Sequence, residues 1–157
     1  MDQARQLILQ ADQLAADARY EEAIAAYEHA MTLSAALGGY RFVVGELHFE
    51  LQRYGEAVKV FHDLTQRNPT DARAWEALGR ALQLAGDLER AASVFDHACA
   101  LAPGWGEAAY HAALCHAERG DDRSTEARLR EAVHAEPRWL EAARDEGLLE
   151  RFPHVLR

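Results

Sequence analysis

The sequence predicts an all-α fold, on three observations. Ala, Leu, Glu and Arg, all strong helix formers, dominate the chain. Only four prolines interrupt its 157 residues. Apolar residues also recur at i, i+3, i+4 and i+7 over helix-length stretches, which gathers them on one face of each helix.

Composition bounds the class. With 49% apolar and 27% charged residues, the chain has the balance of a folded soluble protein rather than a disordered one. Its length suits a single domain spanning residues 1–157. No stretch approaches the roughly 18 consecutive apolar residues a membrane span needs. The start, Met1-Asp2-Gln3-Ala4-Arg5-Gln6, is polar and leads into an amphipathic helix, unlike a signal peptide. Cys99 and Cys115 alone build no disulfide framework, so a cytoplasmic protein is expected. The net charge of −9, with no basic stripe, argues against nucleic acid and anionic membranes as partners.

Pro69, Pro103 and Pro137 recur every 34 residues. The block around the middle interval reads Trp75-x-x-Leu78-Gly79, then Leu82, Ala91-x-x-x-Phe95, Ala98 and Pro103. In period and pattern it resembles the tetratricopeptide repeat (TPR) family, with Leu82 where tyrosine is usual. Extended without gaps, the register sets repeats at 4–37, 38–71, 72–105 and 106–139, with a capping helix and tail over 140–157. The small residue where the two helices of a pair approach falls on Ala11, Gly45, Gly79 and Ala113. The second helix repeats Ala23, Ala57, Ala91 and Thr125, then bulky Tyr27, Phe61, Phe95 and Leu129, then Ala30, Leu64, Ala98 and Ala132. The resemblance implies a right-handed superhelical solenoid of four helix-turn-helix pairs, stacked because one pair cannot bury its own apolar stripe.

Punctuation follows the same register. Gly86-Asp87 and Gly120-Asp121 read as turns in which Gly ends the first helix and Asp caps the second. Each proline should stop the second helix of its pair. Repeat 1 has Ala35 in place of that proline, followed by Gly38-Gly39, and repeat 2 has Arg41 where repeat 3 has Trp75. That join is where an altered stacking angle or hinge would fall, but the favoured reading is an ordinary Gly-terminated helix. Trp139, Leu140 and Ala143 can cover the end of repeat 4, and Gly147 should break that helix. The tail residues Leu148, Leu149, Phe152, Val155 and Leu156 can pack back onto the repeats or occupy a neighbour's groove.

The TPR resemblance also implies a ligand site: the first helices line a concave groove that holds a peptide. The residues at its inward positions are Ile8 and Asp12, then Phe42, Glu46 and Phe49, then Arg73, Glu76 and Arg80, and finally Tyr110, His111 and Leu114. The aromatics would anchor a ligand, or pack within the repeats instead. Arg73 and Arg80 could fork onto carboxylates or carbonyls, or pair with Glu76 at helical spacing. The Lys and Asn positions of the carboxylate-clamp subclass hold Ile8, Asp12, Phe42, Glu46, Glu76, Arg80, Tyr110 and Leu114, so that chemistry is not expected.

Glu107, His111 and Cys115, at i, i+4 and i+8, have metal-ligand side chains. No fourth ligand is evident and Cys115 falls near the helix-pair contact, so neither a metal nor a cofactor is expected. His29 and His97 share a repeat position, which suggests structural or exposed roles. There is no nucleophile elbow, phosphate-binding loop, dinucleotide fingerprint or C-x-x-C, so no enzyme is expected. The expected function is a protein-interaction adaptor with a peptide or protein ligand. The alternatives are a self-assembling homo-oligomeric scaffold and a secretion chaperone. The run Tyr110-His111-Ala112-Ala113-Leu114-Cys115 is similar to the class II chaperones of type III secretion, which hold an unfolded translocator segment.

Overall fold

A computed structural model describes residues 2–156, without the side chain of Leu156; Met1 and Arg157 lie outside the description. All regular structure among the described residues is helical. The chain divides into two compact units, Met1–Asn68 and Pro69–Arg157. The first contains α1 (Gln3–Ala16), α2 (Tyr20–Leu33), a 3-10 segment (Ala35–Tyr40), α3 (Arg41–Glu50) and α4 (Tyr54–Arg67). The second contains α5 (Ala72–Leu84), α6 (Leu88–Leu101), α7 (Gly106–Glu118), α8 (Asp122–Ala135), α9 (Arg138–Asp145), α10 (Leu148–Arg151) and a 3-10 turn (Pro153–Leu156). The pairs α1/α2, α3/α4, α5/α6 and α7/α8 are the four 34-residue repeats.

The second helices bury the residues the register assigns to their inner face. Ala23, Ala57, Ala91 and Thr125 are fully buried, and Tyr27, Phe61, Phe95 and Leu129 nearly or fully so. Leu64 is the one half-buried member of the next set, beside fully buried Ala30, Ala98 and Ala132. On the first helices the small residue makes room for this bulk. A Cβ added at Gly79 would meet Phe95 ring carbons at 2.8 Å, and one at Gly45 would meet Phe61 at 2.5 Å. Such approaches lie well inside contact distance, so glycine is required at both.

The second helices α4, α6 and α8 end where the residue before proline is forced out of the helical region. Asn68, Ala102 and Glu136 have ψ of 83°, 75° and 115°. Ser34 adopts ψ 112° without a proline behind it. Thus α2 stops at Leu33, ahead of Gly38-Gly39, which corrects the expectation of a Gly-terminated helix. The glycines lie in the 3-10 segment that leads straight into α3. This tighter winding replaces the first turn of the repeat's first helix, leaving α3 at 10 residues against 13 in α5. The join is therefore locally altered. Tyr40, at its end, stacks on Tyr27 with ring centroids 5.4 Å apart.

The turns inside the pairs are also periodic, in a way the residue types hide. Gly86 and Gly120 have φ of +86° and +76°, and Asp87 and Asp121 cap α6 and α8 through the amides of Arg90 and Ser124. The corresponding positions of the first unit hold Ala18 (φ 58°) and Gln52 (φ 55°), followed by Arg19 and Arg53, which give no side-chain cap. A left-handed L-residue is strained by about 1–2 kcal/mol. Gln52→Gly removes that strain but increases unfolded-state entropy, so a net gain of about 0.5–1 kcal/mol is expected in urea unfolding.

The C-terminal segment folds onto its own unit. Ala143, Leu148, Phe152 and Val155 are buried in one core with Leu129 and Ala132 of α8 and Tyr110 of α7. Gly147, with φ +70°, turns the chain between α9 and α10. Arg151 fixes the return by donating to the carbonyl of Ala117 at 3.1 Å and to Asp122. The tail thus caps repeat 4.

Candidate functional site

The side chains proposed to meet a ligand sit on the first helices, and each unit supplies its own set. In the first unit, Asp12 is exposed and accepts a 2.5 Å hydrogen bond from the Tyr27 hydroxyl. Burial, and then this carboxylate, push the phenol well above its ordinary range. Ile8 is buried among Leu14, Ile24 and Tyr27, so its assignment as a ligand-facing residue is corrected: it is core. Phe42 meets Phe61 edge-on at 5.3 Å, and Phe49 tilts against the same ring at 5.6 Å. Both are half-buried, with Glu46 and Glu50 exposed beside them on α3.

In the second unit, Arg73 is exposed on α5, whereas Glu76 is only 6% exposed. Arg80 Nε lies 3.8 Å from Glu76 Oε1, an ion pair at the helical spacing the sequence suggested. Tyr110 is 5% exposed and stacks on Trp139 at 4.7 Å, so its assignment as a ligand anchor is likewise corrected. The reason is the capping helix, whose indole covers the ring. Burial and the nearby carboxylates Glu146 and Asp145 push the Tyr110 hydroxyl up to about 12. His111 and Leu114 remain half-buried on α7.

Some groupings were not legible in sequence. Glu76, on α5, meets Glu107 and His111, on α7, with one ligand-capable atom of each within 4.8 Å of the others. Cys115 is not part of the group. Eight residues of helix rotate a side chain by about 80°, and Cys115 turns fully inward. Burial pushes the Cys115 and Cys99 thiols up to about 12 and about 11, which suits inert core residues. His111 is held below the usual imidazole range, first by burial and then by the Arg80 guanidinium, against the pull of Glu107.

Two other features carry polar chemistry. Buried His116 places Nε2 3.0 Å from Asp96, which also accepts from Arg128 at 2.8 Å. Arg128 donates in turn to Glu131, so the group ties α6, α7 and α8 together. In the first unit, Met31, Arg41, Val44, Val60 and Asp63 line an open cleft of about 530 Å³. It is walled by α2, α3 and α4. His29 and His97 are exposed, as their shared repeat position suggested.

A family profile described as tetratricopeptide repeat matches residues 45–104. Those residues carry the tetratricopeptide repeat. No curated protein matches it by sequence. Several solved TPR-like structures share the fold. MamA is 17% identical with a TM-score of 0.81, over 99% of this chain and 86% of that one. YrrB, described as a TPR protein with an unusual peptide-binding site, is 21% identical with a TM-score of 0.78, over 90% and 75%. A thermophilic TPR protein from Thermus thermophilus is 21% identical with a TM-score of 0.63, over 85% and 75%. At these identities the likeness establishes the fold. TPR repeats generally serve protein–protein interaction rather than catalysis. No helix among the described residues is long and apolar enough to cross a membrane.

Proposed function

We propose that the chain is a non-catalytic interaction module that holds a segment of a partner protein against the first helices of its repeats. The observation that carries this reading is the set of side chains that the first helices leave accessible beside their core positions: Asp12, Glu46 and Arg73 are exposed, and His111 and Leu114 are half-buried. The peptide-binding description of YrrB supports a peptide as the class of ligand. With Ile8 and Tyr110 committed to cores, the proposed contact residues are Asp12, Phe42, Glu46 and Phe49 in the first unit, and Arg73, Arg80, His111 and Leu114 in the second. Acidic Asp12, Glu46 and Glu50 favour a ligand segment with basic side chains near them.

The test compares two baits for affinity capture from the source organism's lysate. One is wild type and the other carries Glu46→Lys, Glu50→Lys and Arg73→Glu. All three positions are exposed, so stability should change by no more than about 0.5 kcal/mol per site. A polypeptide retained by wild type and lost by the variant, at matched melting temperature, is the expected outcome. Equal recovery from both baits would remove the first-helix faces from the reading.

A further inference from the structure

Three potential metal ligands converge inside the second unit, two of them at the helical spacing noted in the sequence and the third from another helix. We propose that Glu76, Glu107 and His111 bind a divalent transition-metal cation of the zinc type. Geometry comes first. One ligand-capable atom from each residue lies within 4.8 Å of the other two. Ligand atoms around a tetrahedral zinc at its usual bond lengths stand about 3.4 Å apart. Small side-chain rotations close that difference, because two of the ligands are one helical turn apart on α7 and the third projects from α5.

The second observation is independent of the carboxylates. His111 Nδ1 is buried and makes no hydrogen bond among the described residues. An imidazole nitrogen withdrawn from water without a partner is costly. Its ring lies nearly parallel to Phe95, 14° apart at 5.4 Å.

The donor set narrows the ion. Glu76 is buried, with Arg80 Nε 3.8 Å from its Oε1. One imidazole with two carboxylates suits zinc, manganese or cobalt better than magnesium or calcium, which take oxygen ligands. Three protein ligands leave a coordination position for water.

The full chain, stripped of metal with a chelator, is titrated with zinc chloride and read by calorimetry. One equivalent should bind. Removing a second-shell partner already costs about 10–100-fold in metal affinity, so His111→Ala and Glu107→Gln should each weaken binding by about tenfold or more. His134→Ala, at an exposed position of α8, should leave binding unchanged. Circular dichroism checks the fold of each variant, and half-buried Glu107 keeps the test decisive if His111→Ala does not fold. Absence of saturable binding overturns the proposal. So does binding that Glu107→Gln leaves intact. No partner protein enters the titration, so its outcome is separate from that of the interaction reading.

Discussion

Gly79→Val should cost the second unit about 3 kcal/mol or more, measured by urea unfolding. Its first added carbon would already lie 2.8 Å from the Phe95 ring, which is fully buried and cannot swing aside. Overpacking of this kind costs about 1–3 kcal/mol for a methylene or two, and valine adds a branch. The usual gain from replacing a helical glycine, about 0.5–1 kcal/mol, is too small to offset it. Gly55→Ala is the control of opposite sign. It lies in α4 with nothing within 4 Å of an added Cβ, so it should stabilise by that propensity gain. The fourth repeat suggests a rescue, since it pairs Ala113 with Leu129 at the same register. Gly79→Ala combined with Phe95→Leu should therefore be less damaging than the sum of the single changes. A coupling of about 1 kcal/mol or more is expected for residues in direct contact. Strict additivity would mean that the helix pairs do not meet at these positions.

Trp139→Ala should be nearly as damaging, at about 3 kcal/mol, within the range of large aromatic truncations. The indole stacks on Tyr110 at 4.7 Å, carries Arg138 over its face at 4.6 Å and lies against Gly106. Its removal opens Tyr110 and loosens the return of α9 and α10 onto α8. Limited proteolysis should then cleave within residues 138–156 well before the rest of the unit. Wild-type protection of that segment would show that the cap holds through α10 alone.

The repeat was legible because its constraints are local. A proline every 34 residues marks the helix ends, and alanine, aromatic and alanine at fixed offsets mark a face. What the sequence hid is of three kinds. The left-handed turns at Ala18 and Gln52 carry no glycine or asparagine, so only their spacing from Gly86 and Gly120 betrays them. The 3-10 entry to α3 follows from a helix stop at Ser34 that no proline signals. Burial of Tyr110 and Ile8 depends on what packs over them: Trp139 follows Tyr110 by 29 positions, and Ile8 shares its cluster with α2 residues. The Glu76, Glu107 and His111 group is a case of the same limit. Spacing along α7 revealed two of its members, but the third arrives from another helix and displaces Cys115 from the expected set.

The central claim is that a partner segment lies on the accessible side of the first helices. Photo-crosslinking tests it most directly, with a reactive side chain placed singly at Glu46 or Arg73 on first helices, or at Lys59 or Ser93 on second helices. All four positions are exposed, so accessibility does not favour either set. The account predicts partner adducts from Glu46 and Arg73 and none from Lys59 and Ser93. Adducts confined to Lys59 and Ser93 would contradict it and place the interaction on the opposite side of the repeats.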